Sequence, residues 1–135
     1  MRIVLDTNCL IQSIPQRSPY RDVWVSVLTG KNTLCVSNEI LEEYAEVLQR
    51  LAGKDTADFV LDAITKSDYV ELITPYYHFG LIKADPDDNK FVDCAIAANA
   101  RYIVSNDRHY DVLHHISFPR LDVITLKDFL ELLHS

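Results

Sequence analysis

At 135 residues the chain is long enough for one domain and too short for two of ordinary size. Hydrophobic residues make up 48% and charged residues 24%, a globular balance, and a content of only 3 glycines and 5 prolines argues against low-complexity or disordered character. Twenty acidic against thirteen basic residues give a formal charge of −7, which argues against coating nucleic acid by bulk attraction but suits an enzyme that meets phosphates through a bound metal.

The opening Met1-Arg2-Ile3-Val4-Leu5-Asp6 meets an acid early, so no signal peptide is expected. No apolar run approaches the roughly eighteen residues of a membrane span, and no membrane partner is expected. Residues 2–5 read as a strand buried on both faces, ended by Asp6. Residues 8–14 allow a helical turn before Pro15. Ser18-Pro19 then cap and open a helix over 20–28 that stops at Gly30, with Trp24 on its buried face. Residues 33–36 form a second buried strand. Ser37 caps a long helix running to about Ala52, with Ile40, Tyr44, Val47, Leu48 and Leu51 at helical spacing and Gly53 beyond.

A helix is expected over 56–66 and a third strand over 69–73. Residues 74–87 form the longest irregular stretch and hold Tyr76, Tyr77, His78 and Phe79, a cluster suited to stacking on bases but expected to fold back onto the core. Residues 88–100 are alanine-rich and helical. A fourth strand at 102–104, a short helix near 108–114 and a fifth strand at 122–124 follow. Thr125, with Asp128 three residues on, caps a last helix over 126–133. Short apolar strands alternating with helices predict an α/β fold. We expect three α/β/α layers with a central, mostly parallel five-stranded sheet, as one domain over 1–135. Cys9, Cys35 and Cys94 are odd in number and set among apolar neighbours, as buried free thiols of a cytoplasmic protein would be.

Sites in open parallel sheets form beyond the carboxyl ends of the strands. Two strands end there in acids, as Leu5-Asp6-Thr7-Asn8 and Val104-Ser105-Asn106-Asp107. Glu43, about two turns into its helix on the Ile40/Val47 stripe, and Asp88, at a helix start, can reach the same rim. Singly, each acid has a structural reading as a cap or a solvated helix acid. Together they crowd like charges, and two unit charges ~4 Å apart cost about 4 kcal/mol at an effective dielectric near 20. Protonation or a bound cation must relieve that, and oxygen ligands suit Mg²⁺ or Mn²⁺. Such an ion can activate water against a phosphodiester.

Four segments, in order, resemble the PIN domain, the metal-dependent ribonuclease fold of VapC-type toxins in toxin–antitoxin pairs. They are Ile3-Val4-Leu5-Asp6-Thr7-Asn8, Val36-Ser37-Asn38-Glu39-Ile40-Leu41-Glu42-Glu43-Tyr44, Asp85-Pro86-Asp87-Asp88-Asn89-Lys90-Phe91 and Ile103-Val104-Ser105-Asn106-Asp107. The resemblance implies endonucleolytic cleavage of RNA to 5′-phosphate and 3′-hydroxyl ends, with Asp6, Glu43, Asp88 and Asp107 as catalytic acids. Asp6, Asp88 and Asp107 would hold one or two Mg²⁺ or Mn²⁺ ions. Glu43 would complete a second site or orient the attacking water. Asn8, Ser105 and Asn106 would position ligands or phosphate from behind the acids. It also implies a cognate antitoxin and a homodimer.

Two assignments have alternatives. Glu42 replaces Glu43 if the helix is rotated, although Glu43 lies better on the apolar stripe. An alignment on Asp93-Cys94-Ala95 makes Asp93 the third acid, or Asp93 assists from the next turn. Asp88 is preferred because a helix N-terminus favours an anion. His109 is a candidate for substrate contact, and Arg17, Arg21 and Arg108 for phosphate contact. His114 and His115 are adjacent, so a helix turns them about 100° apart and they cannot chelate zinc together. A nucleophile elbow, a dinucleotide fingerprint and a phosphate loop cannot be written from glycines at 30, 53 and 80. A receiver-type phosphoryl-transfer protein would want an aspartate after the third strand, where Ile73-Thr74-Pro75 stands. A PIN-like RNA- or protein-binding module without catalysis would predict a damaged acid set, and all four acids are present.

Overall fold

The computed structural model describes residues 1–83, 85–115 and 121–135. Five short strands, β1 (Arg2–Leu5), β2 (Thr33–Val36), β3 (Val70–Leu72), β4 (Tyr102–Val104) and β5 (Asp122–Ile124), form one sheet in the order β3-β2-β1-β4-β5. The pairings are parallel, with Ile3 opposite Leu34, Val4 opposite Ile103, Leu34 opposite Val70 and Ile103 opposite Val123. Ile3, Val4, Leu5, Leu34, Cys35, Ile103 and Val104 are buried, because helices cover both faces and each side chain meets apolar neighbours wherever it points. The fold is therefore the expected three-layer α/β arrangement.

The helices are α1 (Thr7–Ser13), α2 (Arg21–Leu28), α3 (Asn38–Ala52), α4 (Lys54–Thr65), α5 (Asn89–Ala97) and α6 (Leu126–His134). Helix α5 lies on β1, β2 and β4, α3 pairs with α4, and α2 touches α1 and α6. Trp24 is buried, as its spacing predicts, and the cysteines are free and buried.

Several boundaries differ from the sequence reading, each for a local reason. Gly53 sits at φ +89, ends α3 and opens α4 two residues earlier than expected, its carbonyl accepting from Ala57. Helix α5 stops short because Asn99 adopts φ +52, with Asn99 N–H donating to Ile96 and Ala100 N–H to Ala95, a Schellman closure. Its start is displaced by a 3₁₀ turn over Pro86–Asp88, capped by the Asp85 side chain. Residues Arg108–His115 form 3₁₀ turns. In the chain from Thr74 to Lys83, Ile82 is buried but Tyr76 is 88%, Tyr77 75% and Phe79 39% exposed. The expectation that this cluster folds onto the core is corrected. Asn89 holds Ile82 through both backbone groups, at 2.8 and 2.9 Å, and Ile82 takes the inward position and leaves the aromatic rings outside.

The strand order places the topological switch between β1 and β4. The chain leaves β1 toward β2 on one side and reaches β4 on the other, so the loops after these two strands diverge and leave a crevice.

Candidate metal centre

Asp6 and Ser105 meet at that crevice. Asp6 ends β1 and caps α1: its Oδ1 accepts from the Thr7 amide at 2.8 Å, and its Oδ2 accepts from Ser105 Oγ at 2.7 Å. Ser105 Oγ in turn accepts from the Asp107 amide at 3.0 Å. One hydroxyl thus ties the two strand ends together, and the hydrogen bonds anchor Asp6 where burial would otherwise expel a charge. Burial nevertheless prevails and raises the Asp6 carboxyl above its ordinary range, with the Glu43 and Asp107 charges adding to it.

Asp88 stands across the crevice at the end of the 3₁₀ turn and is 8% exposed. Its Oδ2 is buried and finds no hydrogen-bond partner among the described residues. Burial first, then the charge of Asp107 and a hydrogen bond shared with its carboxyl, then the charges of Asp6 and Asp85, push the Asp88 carboxyl up to about 7. Asp85, Asp88, Asp107 and His109 bring one ligand atom each within 4.8 Å of one another. His109 Nδ1 lies 3.2 Å from Asp107 Oδ1 and 3.7 Å from Asp88 Oδ2. Asp6 neighbours this group electrostatically but turns both oxygens to their donors.

Glu43 reaches the rim because Tyr44 beside it is fully buried and donates to the Leu5 carbonyl at 2.5 Å, locking α3 to the end of β1. Glu43 Oε2 accepts from Thr7 Oγ1, and Oε1 accepts from Lys90 Nζ at 2.8 Å. Burial pulls the Lys90 ammonium down, but the bond to Glu43 and the surrounding acids overcome it and raise it. Glu42 is exposed, so the helix presents Glu43 and not Glu42 to the rim.

Other candidates stand elsewhere. Asp93 is buried and turned away from the cluster: Oδ1 accepts from the Phe79 amide at 3.0 Å, and Oδ2 faces His78 Nδ1 at 3.2 Å. Asn106 Oδ1 accepts from the Leu126 amide at 3.0 Å and so joins β4 to α6. Asn8 is exposed beside Asp6. Arg21 donates to the Ile14 carbonyl, and its guanidinium closes α1 instead of facing the rim. Four residues quoted in or beside the motifs received no site role from the sequence: Thr7, Asp85, Asn89 and Lys90. Three acids within Asp85–Asp88, opening a helix that starts with Asn89-Lys90, were the available signal for three of them.

The bare Asp88 oxygen, its proton affinity and the convergence of three carboxylates fit a hard divalent cation, which would supply the missing partner and neutralise the repulsion. A parallel sheet with this acidic crevice at its switch point defines an α/β protein with a candidate acidic metal centre. The PIN domain model matches residues 2–109, and the chain belongs to the PIN domain family.

Solved structures share the fold. VapBC2 from Rickettsia felis, bound to a DNA fragment from its promoter, aligns with a TM-score of 0.63 at 20% identity, over 93% of this chain and 98% of that one. VapBC-1 from nontypeable Haemophilus influenzae aligns with a TM-score of 0.63 at 16% identity, over 94% and 99%. The PIN domain endonuclease Utp24 aligns with a TM-score of 0.54 at 16% identity, over 92% and 84%. Among curated proteins no match was found.

Proposed function

We propose that this PIN domain is a nuclease that cleaves RNA with the help of Mg²⁺ or Mn²⁺ and acts as the toxin of a toxin–antitoxin pair. The observation that carries the reading is the unpartnered, buried Asp88 oxygen facing Asp107 and His109. Asp88 and Asp107 would hold the ion, with Asp6 beside them and Asp85 and His109 at its outer edge. When bound, the ion supplies positive charge that neutralises the acids and steadies the charge developing on a phosphodiester during hydrolysis.

The chain's own residues do the rest. Ser105 fixes Asp6 and Asp107 relative to each other. Glu43, held by Thr7 and Lys90, offers a fixed carboxylate for orienting water. Asn8 is exposed at the start of α1, where a phosphate oxygen would meet it. The VapBC structures support an antitoxin protein as partner, and we extend the reading to a homodimer acting in the cytoplasm. Among the described residues, no helix is long and apolar enough to cross a membrane.

The test is cleavage of single-stranded RNA by purified protein, with and without EDTA, beside an Asp6→Asn variant. Cleavage that EDTA and the substitution both abolish is expected; cleavage indifferent to both means another chemistry. Growth arrest on expression, relieved by the product of an adjacent reading frame, is expected of a toxin. Unaffected growth with no such frame counts against that role. Size-exclusion chromatography with light scattering decides the dimer.

A further inference from the structure

The rim of carboxylates contains a lysine. Lys90 opens α5 two residues after Asp88, its side chain is 19% exposed, and its ammonium lies 2.8 Å from Glu43 Oε1. Asp87 and Glu39 also act on that ammonium. The rim acids beyond it divide into two unlike halves. On the Asp6–Glu43 half every carboxylate oxygen already has a donor: the Thr7 amide and Ser105 hydroxyl on Asp6, the Thr7 hydroxyl and Lys90 ammonium on Glu43. On the Asp88–Asp107 half, Asp88 Oδ2 is buried and bare, and the ligand atoms of Asp85, Asp88, Asp107 and His109 converge.

Charge separates the halves further. A lysine ammonium is a compact point charge with three donors, so one such group can neutralise a carboxylate in the way a bound ion does. A dication approaching Glu43 meets that ammonium as a like charge and must displace it. A dication approaching Asp88 meets an oxygen with no hydrogen bond to displace, with His109 Nδ1 3.7 Å away as a further ligand atom. Resting on the metal-dependent reading above, we propose that Lys90 fills the role of a second cation. The site then takes a single divalent ion, on its Asp88–Asp107 half, and Glu43 is a positioning residue, not a metal ligand.

The experiment counts Mn²⁺ bound to the full chain by calorimetry and by the paramagnetic resonance signal of free Mn²⁺. The wild-type protein is expected to bind one ion. Lys90→Met, which keeps the stem and removes the charge, is expected to bind two, and Lys90→Arg, which restores the charge, one. Circular dichroism establishes that the variants are folded. Two ions on the wild-type chain overturn the proposal without any variant, and a folded Lys90→Met that still binds one overturns it as well. If the wild-type chain binds no Mn²⁺, the metal-dependent reading falls and takes this one with it.

Discussion

Asp88 shows how one side chain couples the site to stability. Its carboxyl is raised to about 7 by burial and by Asp107, Asp6 and Asp85, whereas an aspartate in an unfolded chain titrates near ~3.9. The folded protein therefore keeps a proton that the unfolded chain has released. The stability owed to this group is complete at low pH and is lost as pH rises through about 7. We expect the metal-free protein to melt at progressively lower temperature between about pH 4 and about pH 7, and to level off above that. Asp88→Asn should flatten that part of the profile and raise metal-free stability near pH 8 by about 1–2 kcal/mol, while abolishing cleavage. Thermal melts in EDTA across that range check the first effect, and a variant profile that parallels the wild type refutes it.

At the scale of elements, the site depends on how α5 is entered. In place of a helix start at Asp88, Asp85 caps a 3₁₀ turn that runs directly into α5, and the Asn89 side chain grips both the N–H and the C=O of Ile82. That grip orders Thr74–Lys83 alongside α5, and Asp93 pins the same segment one turn further on. Removing the Asn89 amide leaves two buried-side backbone groups without partners. Asn89→Ala should cost about 1–3 kcal/mol and speed amide exchange at Ile82, read by urea titration and hydrogen exchange. Unchanged exchange at Ile82 would mean that packing of its side chain alone holds the segment.

Over the whole molecule, one parallel sheet carries the core on both faces and the acids on one edge. The Tyr76, Tyr77 and Phe79 rings lie outside that core, with the last two 6.1 Å apart and tilted by 42°. A Tyr76→Ser/Tyr77→Ser double variant should therefore stay within about 0.5 kcal/mol of wild-type stability. Phe91→Ala, in the fully buried face of α5, should cost about 3–5 kcal/mol. Urea unfolding compares the two. A large loss in the double variant would place those rings against the core after all.

Strand and helix order and the family were legible in the residues themselves. Buried parallel strands need unbroken apolar runs such as Arg2–Leu5, and an acid directly after such a run can only lie at the strand's carboxyl end. The pairing of those acids was not legible, because it depends on contacts between residues far apart along the chain. Ser105 reaches Asp6 across 99 positions and Lys90 reaches Glu43 across 47. Spacing cannot report which oxygen receives a donor and which is left bare. Burial, which raises the cost of an unpaired charge, is set by the packed molecule, and it singles out Asp88 while Asp93, another aspartate only five residues on, becomes an anchor for a loop.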